Sequence, residues 1–206
     1  MSRSKRKSSW LKERQRDKYV QSARRAGYRS RAAYKLIQMD ERDHLFRRGD
    51  VVVDLGAAPG GWSQVAAERV GDSGRVLAVD RLPLEPLGRV ELVQGDFLDP
   101  STAGRLRDLL GSARADVVMS DMAPNMSGIK DADQARGLEL AVSALRFTED
   151  VIAPSGTFVV KAFHGDALEE IKHQVQQRFA SVVVRKPGAS RDKSSEIYLL
   201  ARGYGV

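Results

Sequence analysis

VVVDLGAAPGGW, residues 51–62, decides the fold of this chain. Val51–Val53 is a β-branched run of the kind that suits a parallel strand covered on both faces, where polar alternation disappears. Gly56, Gly60 and Gly61 permit a tight turn and a close backbone approach to a ligand. The next segment, SQVAAERV (63–70), predicts a helix whose N-terminus faces that turn. Strand, glycine turn and helix form the ligand-binding first unit of a doubly wound α/β fold.

Working outward, six more short apolar runs predict strands: 75–80, 90–93, 116–120, 157–162, 181–185 and 196–201. Helices are expected over 31–43, with Ser30 as N-cap, and over 103–110, 135–152 and 166–179. Pro154 and Gly156 are expected to end the long one, and 127–134 reads as a loop before it. A basic helix is expected within 10–26, interrupted by Gly27. The loop KPGASRDKSS (186–195) joins the last two strands as a hairpin, which makes them antiparallel. The expected architecture is an α/β, Rossmann-like fold of the methyltransferase type. Its seven-stranded sheet is mostly parallel, with one antiparallel strand near the edge.

With 206 residues, 42% of them hydrophobic and 30% charged, the chain suits one domain with a sizeable core. It has no cysteine, which excludes disulfides, thiolate nucleophiles and Cys-based zinc sites. His44, His164 and His173 show no metal-ligand spacing, so no metal is expected. No apolar run approaches the roughly 18 residues of a membrane span, and no secretory signal is evident, so an intracellular, cytoplasmic protein is expected. Net charge is +7. Residues 1–35 hold 13 Lys/Arg against Glu13 and Asp17, so the rest of the chain is net acidic. Residues 1–29 therefore read as a basic, partly disordered, RNA-binding arm before a single domain over 30–206. The alternatives for the arm are a solvated tail and an organelle transit peptide.

The turn does not carry the G-x-G-x-x-G spacing of dinucleotide binding. Its Gly56-x-x-x-Gly60-Gly61 follows Asp54, an acid suited to a cationic amino-acid moiety and a poor neighbour for a pyrophosphate. D-L-G-x-x-P-G-G-W thus points to S-adenosylmethionine, against the plainer reading of a turn that merely closes a strand–helix unit. Ligands in open α/β sheets bind beyond the carboxyl ends of the strands. Asp54, Asp80, Asp96 and Asp121 each stand at or just past such an end. Asp80 is placed for ribose hydroxyls, Asp96 for the adenine amine, and Phe97 for the face of the ring. Any one of these acids alone reads equally well as a helix cap. Lys161 ends the apolar strand FVVKAF (158–163) beside Asp121. An isolated lysine there reads as solvated, but next to a methyl donor an amine has work to do on a 2′-hydroxyl.

Five motifs, SRAAYKL (30–36), DLGAAPGGW (54–62), SDMAPNMSG (120–128), VVKAFHG (159–165) and SSEIYLLA (194–201), occur in this order. Through them the chain resembles the FtsJ (RrmJ) family of heat-shock-associated large-subunit ribosomal RNA 2′-O-methyltransferases. The resemblance implies a catalytic tetrad on Lys35, Asp121, Lys161 and Glu196, and cofactor contacts on Gly60, Trp62, Asp80, Asp96 and Asp121. It further implies that the substrate is a uridine 2′-hydroxyl in the A-loop of 23S rRNA, within the 50S subunit. A monomer is expected. Two other classes stay open: a base methyltransferase, which commonly carries D/N-P-P-Y/F where this chain has Asp121-Met122-Ala123-Pro124, and a non-catalytic RNA-binding or assembly protein.

Overall fold

The computed structural model describes residues 17–191 and 194–205. Its elements are α1 (Lys18–Ala26), α2 (Ala33–Asp43), β1 (Val51–Leu55), α3 (Gly61–Val70), β2 (Arg75–Asp80) and β3 (Val90–Gln94). They continue with α4 (Pro100–Leu110), β4 (Ala115–Ser120), α5 (Lys130–Val151), β5 (Ile152–Phe163), α6 (Asp166–Gln176), β6 (Phe179–Arg185) and β7 (Glu196–Tyr204). The seven strands lie in the order β3-β2-β1-β4-β5-β7-β6. β1 to β5 run parallel, and β7 enters antiparallel between β5 and β6. This is the mostly parallel sheet with one antiparallel strand that the strand pattern predicts.

Each face of the sheet is covered by helices, which explains why its central strands are mostly apolar, with Asp54 and Lys161 as exceptions. Leu36 and Met39 of α2 and Val65 of α3 pack with Val52, Val159 and Leu200 on one face. Leu106, Leu145, Ile171 and Val175, from α4, α5 and α6, pack with Val53 and Val160 on the other. Burying one such aliphatic side chain contributes about 1.5–3 kcal/mol. These contacts fix where α2 crosses the sheet, and α2 carries Lys35.

Several boundaries differ from expectation. Ser30 does not cap α2. Ala32 holds the cap position without a side-chain bond, and the Ser30 hydroxyl, which has no partner among the described residues, lies against Gly61, where a Cβ would overlap it. Helix α5 starts at Lys130 instead of 135. Asp133 draws in the preceding turn, accepting from the amides of Ser127 at 2.8 Å and Gly128 at 3.0 Å. Helix α4 begins early because Asp99 caps it, accepting from the Ser101 amide at 2.9 Å, with Pro100 in the first turn. Pro154 and Gly156 sit in a register shift of β5 against β4, between the Ala115–Ile152 and Val117–Thr157 pairs. The long helix therefore runs straight into a bulged strand.

The arm boundary expected at 29/30 does not fall there among the described residues. Asp17 caps α1 through the amides of Tyr19 and Val20 and pairs with Arg31. Tyr19 stacks at a tilt on Tyr34, ring centroids 5.6 Å apart, and accepts from Gln38 at 3.2 Å. Tyr28 donates to Glu68 at 2.9 Å, and the Arg29 amide donates to Gln64 at 2.7 Å. Residues 17–29 are thus part of the domain surface. Residues 1–16, including Trp10 and the first part of the expected basic helix, lie outside the described residues.

Candidate active site

Strand pairing assembles the centre of the site. Lys161 of β5 lies directly opposite Tyr198 of β7, and Phe163 opposite Glu196. Opposed residues share a face, and so do residues two apart on a strand. Lys161, Tyr198 and Glu196 therefore project from the face that α2 covers. Asp121 follows the last residue of β4, whose Ser120 pairs with Val160. Lys35 comes down from α2, one residue before the fully buried Leu36.

The four residues of the expected tetrad meet here. Lys161 Nζ lies 2.8 Å from Asp121 Oδ1 and donates to the Asp121 carbonyl at 2.7 Å. Lys35 Nζ lies 2.5 Å from Glu196 Oε1. The two ion pairs are joined by a residue the motif reading missed: the Tyr198 hydroxyl donates to Asp121 Oδ1 at 2.6 Å and accepts from Lys35 at 3.1 Å. Alternation along SSEIYLLA puts Tyr198 beside Glu196, which was the available signal. Burial pushes the Asp121 carboxyl up, but the charges of Lys161 and Lys35 and the bonds from Lys161 and Tyr198 outweigh it. The group is held below the usual carboxylate range, so it is ionised at neutral pH. Burial, with the charges of Asp121 and Glu196, pushes the Tyr198 phenol well above its ordinary value.

Next to this centre lies the glycine turn. Gly56 has φ +80, and a side chain there would run into Met122, so only glycine fits. Gly60 has φ +105 and caps α3. Gly61, the first residue of α3, lets Ser30 and the start of α2 close onto the turn. Trp62 is buried, donates its indole N–H to the Ala32 carbonyl at 2.9 Å and lies 5.5 Å from the Tyr198 ring. It thereby ties the turn to α2 and to the tetrad. Asp54 is fully buried. It accepts from the Ser63 hydroxyl at 2.6 Å through Oδ2, while Oδ1 has no partner among the described residues. Burial, reinforced by the charges of Asp121 and Asp80 and only partly offset by Ser63, pushes its carboxyl up to about 7.

The remaining expected cofactor residues are placed less uniformly. Asp80, at the end of β2, accepts from the Ala58 amide at 2.9 Å and the Leu82 amide at 2.8 Å. Each carboxylate oxygen keeps a further lone pair. Asp96 accepts from the Leu98 amide at 3.0 Å and lies 3.6 Å from Arg81. Phe97 departs from expectation. Its ring is part of the core, edge-on to Phe147 of α5 at 5.4 Å. On the far side of the tetrad a cavity of about 430 Å³ is lined by Arg31, Ala32, Lys35, Arg191, Ser194 and Glu196. Burial and the neighbouring charge of Arg191 lower the Arg31 guanidinium from its ordinary value.

Comparison with known proteins agrees with this fold. The family described as FtsJ-like methyltransferase matches residues 28–204. A Marinobacter nauticus protein named ribosomal RNA large subunit methyltransferase E is 49% identical over 206 residues, covering 100% of both chains. The protein of the same name from Thiobacillus denitrificans is 52% identical, over 97% of this chain and 91% of its own. A crystal structure of a Plasmodium falciparum protein described as a ribosomal RNA methyltransferase superposes with a TM-score of 0.76 at 30% identity. The match covers 86% of this chain and 98% of that one. The chain belongs to the FtsJ-like methyltransferase family.

Proposed function

We propose that this methyltransferase moves a methyl group from S-adenosylmethionine to the ribose 2′-hydroxyl of a uridine in the A-loop of 23S rRNA. The substrate is the 50S subunit, in the cytoplasm. The observation that carries this reading is the pair of lysine–carboxylate ion pairs at the strand ends, Lys161 with Asp121 and Lys35 with Glu196, joined through the Tyr198 hydroxyl. Relatives named for large-subunit ribosomal RNA supply the substrate class.

The residues present fit the cofactor. Asp54 Oδ1 is a buried acceptor without a protein donor, a place for a cationic amino group or its bridging water. Gly56, Gly60 and Gly61 hold their backbone where side chains would obstruct. Asp80 and Asp96 offer acceptors to ribose and adenine from the ends of β2 and β3. When bound, S-adenosylmethionine would supply an electrophilic methyl carbon for the hydroxyl oxygen, with its sulfur, left as a neutral thioether, as the leaving group.

The protein's own part is to place the hydroxyl in line and ease the loss of its proton. Lys161, as the free amine, takes that proton. Lys35 stays an ammonium, held by Glu196, and lowers the cost of negative charge on the hydroxyl oxygen. Asp121 orients Lys161 through its side chain and its carbonyl. Arg31 and Arg191 line the cavity that receives the adjoining phosphates.

The test is Lys161→Ala, assayed for methyl transfer and separately for cofactor affinity. Transfer should fall by orders of magnitude while affinity changes little. Activity within about tenfold of wild type, roughly 1.4 kcal/mol of barrier, would remove Lys161 from the mechanism. Lys161→Arg should fail as well, since a guanidinium cannot take a proton near neutral pH.

A further inference from the structure

We propose that Tyr198 is a positioning residue whose hydroxyl shares the charge of Asp121 and so sets how readily Lys161 becomes the free amine. This rests on the role of Lys161 given above. The direction of the hydrogen bonds is forced. An ionised carboxylate can only accept, so the single phenolic proton goes to Asp121 Oδ1, at 2.6 Å. The phenol oxygen is then left to accept from Lys35, at 3.1 Å. Lys161 reaches the same Oδ1, at 2.8 Å. One carboxylate oxygen thus serves two donors, and what it gives to the phenol it withholds from the Lys161 ammonium.

The other charges around Lys161 do not do this. Glu196 is taken by Lys35 at 2.5 Å. Lys35 reaches Asp121 through its charge and through Tyr198. Asp54, from β1, interacts electrostatically with Asp121. Among the described residues, Tyr198 is the only other donor to the carboxylate oxygen that Lys161 reaches. Its ring is fully buried, against Trp62 at 5.5 Å, which leaves the hydroxyl one place to go. Its own proton is not released near neutral pH, because burial and the carboxylates hold it on. The phenol acts as a fixed donor.

Tyr198→Phe keeps the ring and removes the donor. Asp121 then bears on Lys161 undivided, the ammonium is favoured, and higher pH is needed to free the amine. In the full-length enzyme with 50S subunits and saturating S-adenosylmethionine, the rising limb of kcat against pH should move about one unit to the alkaline side. That is about tenfold lower kcat below the limb, converging on wild type at high pH. Cofactor affinity should stay within about twofold. Placing 3-fluorotyrosine at position 198 strengthens the donor at almost the same volume and should move the limb the opposite way. It also serves if the Phe variant is poorly folded. A superimposable profile, or a loss in equal proportion at every pH, would overturn the proposal. Lys161→Ala run alongside separates the two failures: substantial activity in that variant would sink the role of Lys161 itself, whatever the Tyr198 profiles show.

Discussion

At the scale of single residues, the pressure in this site comes from acids brought together under limited hydration. Asp54 shows it most directly. Unfolded, its carboxyl titrates at about 3.9; folded, it is pushed up to about 7, first by burial and then by Asp121 and Asp80. The folded protein therefore holds this proton more tightly than the unfolded chain. That contribution is complete below pH about 4 and is lost as pH rises to about 7. Without cofactor, Asp54→Asn should therefore be more stable than wild type above pH 7, with the gap closing toward pH 4–5 in thermal melts. A cation bound beside Asp54 favours the ionised form. Cofactor affinity should then rise from pH 6 to 8 in wild type and stay flat in Asp54→Asn, as calorimetry would read. Parallel melting curves would show that Asp54 carries no such proton.

At the scale of elements, α1 changes where the chain can be cut. Deleting 1–16 removes seven Lys/Arg and Glu13 and none of the packing described above. The melting temperature should change by no more than about 2 °C, while 50S binding should lose part of its salt dependence, because fewer phosphates are neutralised. Deleting 1–29 also removes the Tyr19, Tyr28 and Arg29 contacts with α2 and α3. It should lower the melting temperature by about 5 °C or more, at 2–4 °C for each kcal/mol lost in a chain of this size. Equal melting temperatures for both truncations would make α1 a passive extension. Equal salt slopes for full-length protein and the 1–16 deletion would make that segment a solvated tail.

The sheet was legible because β-branched runs, strand-end acids and the glycine turn are local signals. Lys161 and Asp121 stand out in the sequence beside strand ends, whereas Lys35 and Glu196 join them only through the family resemblance. The docking of α1 was hidden, since Tyr19 and Tyr28 sit among arginines and lysines that read as a polyanion-binding arm. The start of α5 was hidden because Asp133 works on the turn before it. Tyr198 drew no reading of its own in the sequence, and its bridge between two ion pairs exists only once β7 lies between β5 and β6.

At the scale of the whole molecule, the proposed site residues gather at one end of the sheet's strands. The turn after β1 and the ends of β2 and β3 offer the cofactor side. The end of β4, β5, β7 and α2 supply the lysines and acids, and the Arg31–Arg191 cavity continues outward from them. Lys161, Asp121, Tyr198, Lys35 and Glu196 form one connected cluster, and under the proposed function its cations meet the charge that develops on a weakly acidic hydroxyl. The 121–124 turn supplies no aromatic to stack on an extruded base. The most direct measurement is therefore the chemical identity of the product. Labelled S-adenosylmethionine and the full-length enzyme are incubated with 50S subunits lacking the modification, and the rRNA is digested to nucleosides. A 2′-O-methyluridine mapped to the A-loop is the predicted result; label on a base, or no label transferred to RNA, would contradict it.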